Sequence, residues 1–122
     1  MTTLIQIVED DEAIRDSLKL LLESRGYTVE AYGSGAQLFG NGDPARCNCF
    51  ILDVNLPGES GFEVLAKMRK NGVTTPAIFV SGRATPSVRA EAIRAKAVAF
   101  FDKPVPPAEL LGAIAAATRP IS

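Results

Sequence analysis

Five short apolar runs, separated by stretches of helical periodicity, set the tightest limit on what this chain can become. The runs are "LIQIV" (4–8), "YTVEAY" (27–32), "CFILD" (49–53), "PAIFVS" (76–81) and "VAFF" (98–101). The first, third and fourth are apolar enough for burial on both faces, while the second alternates. Between the first two, Ile14, Leu18, Leu21 and Leu22 share one face of a helix over 12–25, with Arg15, Asp16, Lys19 and Glu23 outside and Gly26 as its stop. Ser34 caps a short helix over 34–40. Ser60 and Glu63 form a capping box before Gly61, Val64, Leu65 and Met68, and that helix ends near Gly72. Thr85-Pro86 starts a fourth helix, and Pro106-Pro107 a fifth, whose Leu110, Leu111 and Ile114 face inward. The pattern predicts an α/β fold of (βα)5 type, a doubly wound parallel five-stranded sheet with right-handed crossovers.

At 122 residues the chain is long enough for one domain spanning 1–122, with no repeat or linker inside it. A net charge of −1 gives no basic surface for nucleic acid or membrane. No apolar run approaches the roughly 18 residues of a membrane span, and acids by residue 9 exclude a signal peptide. Cys47 and Cys49 are too close for an unstrained bridge and too few for a zinc site, so reduced thiols and a cytoplasmic location are expected. The absence of histidine removes His-dependent triads, His metal sites and a histidine phosphocarrier role.

In an open α/β sheet, ligands bind beyond the carboxyl ends of the strands. There the sequence supplies Glu9-Asp10-Asp11 after the first strand, Asp53 at the end of the third, Ser81-Gly82 after the fourth and Asp102-Lys103-Pro104 after the fifth. Each has a plain reading alone: Asp11 as a helix cap, Asp53 as a loop cap, Ser81 as a strand-end hydroxyl, Lys103 as surface charge. Their arrival at one rim is harder to explain that way. Crowded carboxylates are relieved by a cation, and an oxygen-only set suits Mg²⁺. A lysine, a hydroxyl and free backbone N–H groups beside that ion suit a phosphoryl group, with Asp53 as the nucleophile.

The segments "IVEDDEAIR", "ILDVNLPGESGFEVL", "IFVSGRA" and "AFFDKPV" together resemble the receiver domain of bacterial two-component response regulators, over about residues 4–118. Their wording is most similar to the nitrogen-fixation regulator branch. The resemblance implies a flavodoxin-like sheet of order 2-1-3-4-5 and phosphorylation of Asp53 by a sensor histidine kinase or histidine phosphotransfer protein. It implies that Asp10 and Asp53 ligate Mg²⁺ (or Mn²⁺) directly, Glu9 through water, and Asn55 by its carbonyl. Lys103 and Ser81 would contact the phosphoryl oxygens, the Lys103–Pro104 bond would be cis, and Phe100 would be the switch aromatic. Such a chain catalyses its own aspartyl phosphorylation and dephosphorylation without being a conventional enzyme. Helix 1 would meet the kinase, and helix 4, strand 5 and helix 5, with Arg89, Arg94 and Lys96, would meet a downstream protein or output domain, with dimerisation on phosphorylation. Asn55 and Arg83 sit where members of the family tune phosphoryl lifetime. Three residues depart from the family pattern: Ser81 for threonine, Phe100 for tyrosine and Lys96 for glycine.

Two rival chemistries meet specific objections. A haloacid-dehalogenase-type Mg²⁺ phosphatase needs an acid two residues after its nucleophile, where this chain has Asn55. A flavodoxin-like cofactor binder needs a phosphate-cradling loop where three acids stand. A receiver-like interaction module free of phosphorylation is opposed by the complete set of site residues. Taken as complete, the chain would be a stand-alone receiver acting through protein contacts or as a phosphoryl sink. Taken as part of a longer regulator, it would serve a transcriptional output.

Overall fold

A computed structural model describes residues 2–119. Its elements run β1 (Leu4–Val8), α1 (Glu12–Glu23), β2 (Thr28–Tyr32), α2 (Gly35–Asn41), a 3-10 turn (Pro44–Arg46), β3 (Cys49–Asp53), α3 (Gly61–Lys70), β4 (Ala77–Ser81), α4 (Pro86–Arg94), β5 (Ala99–Asp102) and α5 (Pro107–Ala117). All pairings are parallel, in the order β2-β1-β3-β4-β5. This is the expected doubly wound fold, and among the described residues no helix is long and apolar enough to cross a membrane.

Strand alternation divides the core in two. Ile5, Ile7, Cys49, Ile51, Ile78 and Val80 face α1 and α5, meeting Leu18, Leu22, Leu110 and Ile114. Val8, Phe50, Leu52, Ala77 and Phe79 face the other way, meeting Leu38 of α2, Phe62, Leu65 and Met68 of α3 and Ala92 of α4. Within this second layer the helices are held unequally, since α3 buries five residues and α4 buries Ala92 alone.

Helix boundaries follow local chemistry. Asp11, Ser34, Ser60 and Thr85 each accept a backbone N–H three residues on, and Ser60 with Glu63 completes a capping box. At their ends, α1, α3 and α4 share one arrangement. Tyr27, Val73 and Ala97 donate to the carbonyls of Leu22, Met68 and Ala92, closing the last turn around a left-handed residue. That residue is Gly26, Gly72 and, in α4, Lys96 at φ 60°. The sequence marks Lys96 as a departure, and its backbone keeps the shape glycine would take. The reading of β2 from residue 27 runs one residue early, and only Val29 of that edge strand is buried, as is usual for a strand paired on one side. The 3-10 turn is an addition, nucleated by Asp43, which accepts from Ala45 N–H, and by Pro44.

Candidate functional site

The same alternation extends past the strand ends and sorts the polar residues. Glu9 continues the series Ile5, Ile7; Asp53 continues Cys49, Ile51; Lys103 continues Ala99, Phe101. All three therefore emerge on the α1/α5 side. Ser81 follows Phe79 on the opposite side, together with Phe100 and Asp102. The sheet order reverses between β1 and β3, and this is where the acids meet.

Lys103 Nζ lies 2.6 Å from Glu9 Oε1 and 2.8 Å from Asp53 Oδ2, so one ammonium bridges two carboxylates. Both acids are enclosed, Glu9 1% and Asp53 2% exposed. Asp53 Oδ1 accepts the Asn55 N–H at 3.0 Å, and Glu9 Oε2 accepts the Asp11 N–H at 3.2 Å. Burial, then the neighbouring Asp53, pushes the Glu9 carboxyl from 4.5 up to about 7. Lys103 loses some basicity to burial, but its two carboxylate partners hold its pKa above the usual lysine value.

Asp10 stands exposed beside them, and Glu9, Asp10 and Asp53 each present an oxygen within 4.8 Å of the others. Glu9 Oε1 is buried and faces the ammonium without a well-aligned hydrogen bond. Oxygen-only ligands, an incompletely satisfied buried oxygen and an open acid at the rim fit a hard divalent cation. The cleft lined by Asp10, Asp53 and Lys103 holds about 440 Å³, with Asn55 and Arg83 also in its wall.

Ser81, 1% exposed, has an Oγ that accepts from Arg83 N–H at 3.0 Å and Asn55 Nδ2 at 3.4 Å. Phe100 is half-buried with the Arg89 guanidinium 5.2 Å from its ring centre, while Arg89 also pairs with Asp102 at 2.6 Å. The Lys103–Pro104 peptide bond is cis. Cys47 and Cys49 are free and buried. The structure thus brings Glu9, Asp10, Asp53, Asn55, Ser81 and Lys103 together, with Phe100 on the α4-facing side of β5 rather than in the cleft.

One participant is misread by periodicity. Arg15 counts as solvent-facing on the helical wheel, yet it is half-buried and turns back so that Nη1 donates to the Glu9 carbonyl at 2.9 Å. Its signal is the N-terminal tilt of helical side chains, which lets a long residue in the first turns reach the strand that feeds the helix.

Parallel five-stranded topology with three acids and a lysine at the reversal point defines a receiver of the two-component response regulators, and the Response regulator receiver domain family matches residues 5–115. The chain belongs to that family. Over 117 residues it is 38% identical to the response regulator protein TodT of Pseudomonas putida, covering 96% of this chain and 52% of that protein. It is 33% identical over 112 residues to the transcriptional regulatory protein FixJ of Azorhizobium caulinodans, covering 92% of this chain and 53% of that one, in keeping with the branch resemblance. The chain spans about half the length of these curated relatives. Among solved structures, a CheY-like receiver domain protein from Methanospirillum hungatei superposes with a TM-score of 0.83 at 34% identity, covering 93% of this chain and 91% of that one.

Proposed function

We propose that the domain accepts a phosphoryl group on Asp53 from a partner histidine kinase or phosphotransfer protein and passes the change to a partner or output domain through α4, β5 and α5. The observation that carries this is the bridge from Lys103 to the two enclosed carboxylates, beside an open Asp10. Asp10, Asp53 and the Asn55 carbonyl, with Glu9 behind them, would hold Mg²⁺, which when bound supplies positive charge to offset the phosphoryl oxygens.

A carboxylate oxygen of Asp53 forms the new bond to phosphorus as the bond to the donor's leaving group breaks. Asn55 N–H and Lys103 hold that carboxylate by its two oxygens, so little reorganisation is needed on attack. The added charge gives Ser81 a new acceptor for its proton, drawing its hydroxyl from Arg83 N–H and Asn55 towards the phosphoryl group. The end of β4 moves with Ser81, and Phe100 and α4 lie against that face. On the other side an apolar groove lined by Ile14, Leu18, Leu21, Pro104 and Val105 adjoins Lys103, which suits docking of a kinase helix near the reacting carboxylate.

Incubation with acetyl phosphate and Mg²⁺ should add one phosphoryl mass to the wild type and none to Asp53→Asn, read by intact-mass spectrometry. Equal yield in the variant sinks the assignment of Asp53. No modification of the wild type by any donor supports an interaction module instead.

A further inference from the structure

Asp10 is the least supported member of the acid cluster. It is exposed, and among the described residues its carboxylate has no hydrogen-bond or ion-pair partner. Its direction is therefore set by the backbone that carries it. That backbone begins at Glu9, whose N–H donates to the Tyr32 carbonyl at 3.0 Å and whose own carbonyl accepts from Arg15 Nη1 at 2.9 Å. The guanidinium lies in a formed slot. Gly33 faces it, and a Cβ there would come within 3.3 Å of both Arg15 Nη1 and Gln37 Oε1, while Gln37 Oε1 fixes the same turn by accepting Gly33 N–H at 2.8 Å. Arg15 thus bonds to a carbonyl rather than to any of the acids beside it.

We propose that Arg15 is a positioning residue for the acidic pair: by holding the Glu9 carbonyl it fixes the Glu9–Asp10 peptide plane, and with it the direction in which the Asp10 carboxylate leaves the chain towards Asp53. This rests on the divalent-ion reading above. The sign of its effect separates position from charge. A guanidinium acting through charge alone repels a second cation, so its removal would tighten Mg²⁺ binding. A residue acting through position has the opposite effect, because a loosened ligand must be ordered again on binding, and outer-shell partners of metal ligands are worth about 10- to 100-fold in affinity.

The experiment compares wild type, Arg15→Met and Arg15→Lys in Mg²⁺ titrations by calorimetry, with amide hydrogen exchange of the same proteins in EDTA. Arg15→Met should raise the Mg²⁺ dissociation constant about tenfold, and Arg15→Lys, which restores a long donor, should recover most of that. The rate of acetyl-phosphate labelling should shift in its Mg²⁺ half-saturation and keep its plateau. Binding by Arg15→Met that is unchanged or tighter overturns the proposal, as does a lysine variant no better than methionine. Were the wild type itself to bind no Mg²⁺ at millimolar concentration, the divalent-ion reading would fail. Exchange would then decide for Arg15: faster exchange of the Asp10 and Asp11 amides in Arg15→Met, with the interior of α1 unchanged, supports it, and unaltered exchange refutes it.

Discussion

Gly61 opens α3 directly beneath the proposed nucleophile, and replacing it by alanine perturbs Asp53 without touching its carboxylate. The Gly61 N–H donates to the Val54 carbonyl at 3.0 Å. A Cβ at this position would overlap the Asp53 carbonyl oxygen, sit 3.0 Å from the Asp53 carbonyl carbon and 3.4 Å from Phe79 Cε1. Ordinary contact between carbon and oxygen is about 3.3–3.6 Å, so α3 or the end of β3 must retreat by about 1 Å. Both are backbone with buried surroundings and cannot swing aside as a side chain would. Overpacking of this kind costs about 1–3 kcal/mol, offset by about 0.4–1 kcal/mol from a less flexible unfolded chain. A net loss of about 1–2 kcal/mol lowers Tm by about 4–8 °C in a domain of this size. Misplacing a reacting group by about 1 Å slows its chemistry by up to about 100-fold, so acetyl-phosphate labelling should slow by at least about tenfold. Circular-dichroism melting and a mass-spectrometric time course measure both. Gly112 in α5, exposed with nothing within 4 Å of its added Cβ, is the control, and alanine there should stabilise by about 0.5–1 kcal/mol. A Gly61→Ala protein that melts with the wild type refutes the tight approach. One that melts early but labels at the wild-type rate refutes the link between α3 and the placement of Asp53.

Three further outcomes follow from single residues. Lys96→Gly should raise Tm by about 2–4 °C, because Lys96 holds φ 60° where a Cβ costs about 1–2 kcal/mol, offset by about 0.4–1 kcal/mol from a more flexible unfolded chain, and an unchanged or lower Tm would contradict this. Burial pushes the Cys47 and Cys49 thiols up to about 12, so in native protein at pH 8 they should react with a thiol reagent only as fast as the fold opens; immediate labelling of either would count against it. With metal chelated, Glu9 holds its proton more tightly folded than unfolded, since its carboxyl is raised from 4.5 to about 7. Its stabilising contribution is present below about pH 4.5 and lost as pH rises through about 7, on the order of 3 kcal/mol at about 1.4 kcal/mol per pH unit. Glu9→Gln should flatten urea-unfolding stability across that window, and a variant that keeps the wild-type slope shows that another group sets it.

The sheet was legible because its central strands are buried on both faces and so carry unbroken apolar runs, "CFILD" and "AIFVS" among them. The polar rim was legible for the same reason: a polar group that ends such a run must leave the apolar core at the strand end, as Asp53 and Ser81 do. What period and pattern could not give was direction across the gap between elements. Arg15 falls on the outer arc of its helix by residue count, yet its length and N-terminal tilt carry it to the Glu9 carbonyl. The bridging of Glu9 and Asp53 by Lys103 likewise joins residues 94 and 50 positions from the lysine, which chain order alone cannot show to be in contact. The 3-10 turn after α2 depends on Asp43 and Pro44, too short a signal to stand out from a loop.

The footing of α4 has a consequence for how this domain is remodelled. With Ala92 its one fully buried residue, the helix rests on the sheet mainly through half-buried side chains and the surface contacts of Arg89 with Asp102 and Phe100. Contacts of that sort contribute little each, so α4 detaches at a lower free energy than α3, which is pinned by Phe62, Val64, Leu65 and Met68. A partner binding on that side can therefore reshape one helix while the rest of the domain stays folded, and the work it must supply is a small fraction of what global unfolding requires.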